Sequence, residues 1–156
     1  MCKLDLFQAI RLGDSEAFFN AISEGDLNRL NEYGQNALHE SVAFDRTSFG
    51  QELIRLGINL DQQDHNGQTP LHFAAAHKNL GLATVIVSAG GNFSISDHHG
   101  NQPLWTAIFN ARGQWDVVAL LCDLGADANH KNKHNRSPLD FAKQVKNEVL
   151  VQMLSR

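Results

Sequence analysis

The chain has 156 residues, 42% of them hydrophobic and 19% charged, with a net charge of −4, which is the composition of one soluble globular domain and excludes a disordered chain or a fibre. The longest apolar runs, such as Ala83 to Ala89, are far too short to cross a membrane, and the mild overall acidity argues against nucleic acid as a partner. The opening Met1-Cys2-Lys3-Leu4-Asp5-Leu6-Phe7 mixes charge into its apolar residues and builds no signal-peptide core, so a cytoplasmic protein is expected. Cys2 and Cys122 cannot form a disulfide framework, and Cys122, set in an apolar helix pattern, reads as a small buried hydrophobe.

In chain order, Leu6, Phe7 and Ile10 give a helical stripe that Gly13-Asp14 breaks, and Ala17, Phe18, Ala21 and Ile22 give a second before Gly25. Helices are predicted near Ala37 to Phe44 and Thr47 to Leu56. The stretch from Asp64 to Ala75 then combines a turn with a helix start: Gly67 for positive φ, Thr69 as cap, Pro70 at the first helical position, and Leu71, Ala74 and Ala75 on one apolar face. Asn110-Ala111-Arg112 lies between two further helices, the second expected to take in Trp115 as an apolar position. The last stretch carries Leu139, Ala142, Val145, Val149, Leu150 and Met153 as an apolar stripe, with Lys143, Gln144, Lys146 and Gln152 as polar cover.

These elements recur. Gly34, Gly67 and Gly100 are spaced by 33 residues, as are Leu38, Leu71 and Leu104, and as are Gly57 and Gly90. From Leu104 to Leu139 and from Gly90 to Gly125 the interval is 35, so two residues have been inserted, near Asn110 to Arg112, and they should lengthen the turn between paired helices. Asn135 takes the turn position that glycine fills elsewhere, as asparagine tolerates positive φ.

On this period, and on Thr69-Pro70-Leu71-His72-Phe73-Ala74, which meets a Thr-Pro-Leu-His-x-Ala signature in full, the chain resembles the ankyrin-repeat family. Asn36-Ala37-Leu38-His39, Gln102-Pro103-Leu104-Trp105 and Ser137-Pro138-Leu139-Asp140 are partial copies, and Leu121 to Asn129 looks like the family's second-helix ending. The resemblance covers residues 4 to 154 and implies an all-α solenoid of stacked helix-turn-helix pairs joined by β-hairpin-like loops. It divides a single domain, 1–156, into an N-terminal cap (4–30), repeats at 31–63, 64–96 and 97–131, and a C-terminal capping repeat (132–156).

The family implication is protein binding through the hairpin tips and the exposed edge of each first helix. Carried over by register, the contact positions are Glu32, Tyr33, Gln35, Ala43 and Phe44, then His65, Asn66, Gln68, Ala76 and His77. His98, His99, Asn101, Phe109 and Asn110 follow, and Lys133, His134 and Arg136 continue the line. Tyr33, Phe44 and Phe109 are the preferred anchors, although Phe44 and Phe109 could instead pack against neighbouring helices. Trp105, in the signature histidine's place, reads as structural.

The eight histidines invite a metal reading, yet no pair has the short spacing of a dedicated zinc site, and His39 and His72 recur as structural histidines do in the family. Neither a nucleophile elbow, a phosphate loop nor a His-Glu-x-x-His motif occurs, and Gly90-Gly91-Asn92 suits a helix C-cap better than a phosphate cradle. Glu40 and Asp45 are expected on an exposed helix edge, solvated or contacting a partner. No catalytic residue, cofactor or metal is assigned. Residues 1–66 carry eleven acids against five bases, whereas from 67 onward eight bases face six acids, so the array is acidic first. That half suits a protein with a basic surface. The function expected is a non-catalytic binding module, monomeric when free, that occludes or regulates a partner. Small bacterial ankyrin proteins that act as immunity proteins against a cognate toxin are the analogy. An adaptor subunit of a larger complex is the alternative, and a His-based metal enzyme is the reading from another class.

Overall fold

A computed structural model describes residues 3–25 and 27–156; Met1, Cys2 and Asp26 lie outside the described residues, and with them the reading of Cys2 as unpaired. The described residues form α1 (Leu6–Leu12), α2 (Ser15–Glu24), α3 (Ala37–Ala43), α4 (Thr47–Arg55) and α5 (Pro70–Ala76). They continue as α6 (Leu80–Ser88), α7 (Pro103–Asn110), α8 (Asp116–Asp123), α9 (Pro138–Gln144) and α10 (Glu148–Leu154). None exceeds ten residues. Helices this short do not hold in water on their own, so starts must be well capped and one face must pack. Asp5, Asp14, Asn36, Thr69, Asn79, Ser137 and Asn147 each accept a bond from a first-turn N–H, and Pro70, Pro103 and Pro138 begin their helices.

The helices pair in sequence, and the pairs stack. One row runs α1, α3, α5, α7, α9, each against the next, and a second row runs α4, α6, α8, α10. The core lies between the rows. Leu38, Leu71 and Leu104 are buried at one register position, joined by Phe18, Leu53, Leu82, Ile86, Leu121 and Leu150. Phe18 stacks on Phe49 with ring centroids 4.1 Å apart, which carries the core from α2 to α4. Gly50 lets α4 approach α6, because a Cβ there would sit 2.5 Å from Leu82 Cδ2.

Between stacked pairs the chain makes a hairpin of fixed design. The N–H of Asp64 donates to the Gln68 carbonyl and that of Gly67 to the Asp64 carbonyl, while one Asp64 carboxylate oxygen accepts from the Asn66 and Gln68 N–H groups, all at 2.9 Å. Asn31, Asp97 and Asn132 do the same in the other hairpins. Successive tips are stitched by single backbone bonds of 2.9 Å: His65 N–H to Tyr33, His98 N–H to Asn66, and Lys133 N–H to His99. Gly67 is at φ 77°, and a Cβ there would lie 2.6 Å from His98 Cδ2 and 2.9 Å from its backbone nitrogen, so only glycine lets these tips stack. Asn135 takes the same conformation at φ 57°.

The fold amends several expectations. Phe44 and Leu56 cap α3 and α4 and are not their last turns. The two inserted residues lengthen the connection to 111–115, where 44–46 and 77–79 serve the preceding pairs; α7 also gains a residue, and Trp115 becomes the N-cap of α8, half-buried, instead of an interior helix position. Glu40 is not on an exposed edge: it is buried and its carboxylate meets the Arg11 guanidinium at 2.6 Å. Asp45 is exposed, at φ 53°, and accepts from Asn79. Val145 and Val149 leave the apolar stripe for solvent, because Val145 caps α9 and Val149 sits on the open face of α10.

Candidate functional site

The hairpin tips and the first-helix row form the candidate surface. Backbone and side-chain-to-backbone hydrogen bonds fix its backbone, and its side chains differ from one hairpin to the next. At the tips, Glu32, Tyr33, His65, Asn66, His98, His99, Lys133 and His134 are all exposed. Along the helix row, Phe44, His77 and Phe109 are exposed, and Ala43, Ala76 and Asn110 are half-buried. Phe109 keeps 65% of its surface open although its ring approaches Phe141 of α9; Tyr33 and Phe44 stand out at 56% and 44%.

Other members of the expected surface are partly spent on the scaffold. Gln35 donates to Asp64 at 3.4 Å and accepts from Asn31, and the Asn101 amide oxygen accepts from Asn132 at 2.9 Å. Gln68 and Asn101 also lend their carbonyl oxygens to histidines of the previous repeat. His39 Nε2 lies 3.0 Å from the Gln68 oxygen, and His72 Nε2 lies 3.0 Å from that of Asn101. In each ring Nδ1 accepts from the N-cap backbone N–H, so the neutral imidazole carries its proton on Nε2 and donates it across the repeat boundary. Burial disfavours the imidazolium and lowers both pKa values, that of His39 to about 4.

At the next boundary Trp105 replaces this histidine, and the link is remade from below. His130 Nε2 reaches the Gly100 carbonyl at 3.0 Å, alongside the Asn132 to Asn101 bond. Trp105 is thereby released to lie half-buried, edge-on to Phe141 with centroids 5.7 Å apart. Phe109 approaches the same ring at 6.2 Å. The Arg136 guanidinium carbon sits 5.9 Å from the Trp105 ring centroid and 6.0 Å from that of Phe141, and Arg136 donates to Gln144.

At the acidic end, Arg11 donates to Glu40 through Nε and a terminal nitrogen, and the bond holds the guanidinium above its ordinary pKa. Asn31 bridges Glu40 to Gln35, and Gln35 reaches Asp64, so a polar chain runs from α1 to the second hairpin. Arg46 closes α1 by donating to the carbonyls of Ile10 and Arg11.

Sequence reasoning missed the Asn31–Asp64–Asp97–Asn132 set, whose signal was the same spacing of 33, 33 and 35 that the glycines and leucines gave. It also missed Phe141 as part of the aromatic corner, since no aromatic residue stands at that register elsewhere except Phe73. Among the described residues no group of three His, Cys, Asp or Glu side chains is arranged for a metal ion, and no helix is long and apolar enough to cross a membrane. Cys122 is half-buried, and burial pushes its thiol pKa up, away from reactivity.

A family model described as ankyrin repeats (3 copies) matches residues 6–97 and again residues 51–132. No curated protein matches the sequence.

Proposed function

Because the chain belongs to the ankyrin-repeat family, whose members are generally protein–protein interaction modules and typically non-catalytic, we propose that it binds one partner protein and occludes or regulates it. The observation that carries this reading is the separation of roles along the tips: backbone groups stitch the hairpins, while Tyr33, His65, Asn66, His98 and His99 project into solvent from a backbone held in place. A rigid row of this kind binds without first ordering a loop, which lowers the entropic cost of association. The units proposed as repeats are 31–63, 64–96 and 97–131, with 4–30 and 132–156 closing the stack.

The acidic half up to residue 66 supports a partner with a basic surface, and an immunity protein covering a basic toxin is the form of occlusion this favours. The test is purification of the partner from the native host, followed by binding measurements on Tyr33→Ala, Phe44→Ala and Phe109→Ala combined. The triple variant should lose at least tenfold in affinity with unchanged melting, and wild-type affinity would sink the surface assignment. Partner activity measured with and without the protein decides whether binding inhibits.

A further inference from the structure

We propose that the corner formed by Trp105, Phe109, Phe141 and Arg136 is a separate docking subsite for an acidic segment of a partner protein, one that carries an aromatic or large aliphatic side chain. The proposal rests on the protein-binding reading above and names the chemistry of one part of that surface.

Three observations converge on it. First, the rings of Trp105, Phe109 and Phe141 are contiguous, and Phe109 is largely open, so an incoming apolar side chain meets a fixed aromatic wall. Trp105 is available for this because His130 and Asn132 have taken over the link between hairpins that His39 and His72 provide elsewhere. Second, Arg136 lies over two of these rings and is held by Gln144, which orients a planar guanidinium beside the apolar wall. Among the described residues it forms no ion pair, and a guanidinium held in one plane matches the two oxygens of a carboxylate.

Third, the segment that carries Arg136 and Phe141 is basic, with Asp127 beside Trp105 and Glu148 beside Lys143 as the carboxylates near it. Between residues 131 and 146 there are five Lys and Arg against one carboxylate, Asp140. That carboxylate is occupied: it accepts from Lys131 at 2.6 Å and from the Ser137 N–H at 3.0 Å, and these bonds hold its pKa far below the usual range. Lys133 and Lys143 remain exposed. The subsite therefore complements a negative segment, whereas the acidic first half complements a positive one. A partner spanning both is placed in one direction along the array.

A random twelve-residue peptide library displayed on phage and panned on the full chain tests this. Selected peptides should combine an aromatic residue or leucine with two or more acids, and should weaken as salt is raised. Their affinity should fall at least tenfold in Arg136→Glu and in Phe109→Ala, the latter a surface change that leaves the core intact, and fall less in Arg136→Lys, which keeps the charge without the planar stack. Basic peptides, no enrichment, or acidic peptides that bind Arg136→Glu as well as wild type would overturn the proposal. So would a labelled oligothymidylate that binds and displaces the peptides. A native partner that depends on Tyr33 and Phe44 but ignores Arg136→Glu would remove this subsite and leave the protein-binding reading standing.

Discussion

His39 Nε2 stands 3.0 Å from the carbonyl oxygen of Gln68, so a side chain of one repeat donates a buried hydrogen bond to the backbone of the next. The neutral ring is the form this site requires. Folding lowers the His39 pKa from 6.5 to about 4, chiefly by burial, opposed first by the hydrogen bond to Gln68 and then by the charges of Asp64 and Glu40, with His72 assisting. Between those values the unfolded chain binds a proton that the folded chain does not, so stability is full above pH 6.5 and falls as pH drops towards 4. The loss should be about 2 kcal/mol between pH 7 and 5, and His72 adds to it with the same sign. Urea unfolding midpoints across that range measure it. His39→Gln should flatten the slope, and a slope equal to that of wild type would refute the assignment.

Leu71 sits at the centre of the stack, fully covered by α5 and its neighbours. Leu71→Ala removes buried methyl groups from a core shared by adjacent pairs and should cost about 2–5 kcal/mol. Denaturant unfolding should remain one transition with a lowered midpoint, and an unchanged midpoint would contradict a continuous core.

Lys78 ends the α5 side of the connection to α6 at φ 56°, a left-handed conformation that is strained for a residue with a Cβ. The matching residues after α3, α7 and α9, Asp45, Arg112 and Lys146, are left-handed too, at φ 53°, 46° and 53°, so the turn requires this conformation wherever it occurs. Lys78→Gly relieves the strain but loosens the unfolded chain, for a net gain of about 0.5–1 kcal/mol. Thermal melting should rise by a few degrees, and a fall would show that another contact of Lys78 matters more.

The fold was legible in the sequence because its rules are local and periodic. Capping at Thr69, proline at helix starts, positive φ at Gly67 and burial of Leu71 follow from residue chemistry at a repeating interval. What escaped were pairings between residues whose separation carries no pattern of its own. Glu40 is a polar residue at a helix position whose burial depends on Arg11, 29 residues earlier, and nothing near Glu40 announces that partner. Arg136 looks like one more surface cation until Trp105, Phe141 and Gln144 are brought around it. Trp115 was misplaced because an insertion shifts helix boundaries by a residue, and pattern alone does not say which side absorbs it.

The bonds that stitch the tips together use only main-chain atoms at residues 33, 66 and 99 as acceptors and at 65, 98 and 133 as donors. Any amino acid supplies the acceptor, and only proline fails to supply the donor. These positions can therefore be recoded almost freely, and a combinatorial library at Asn66, His98 and His99 would explore new recognition without touching the seam that holds the array in register.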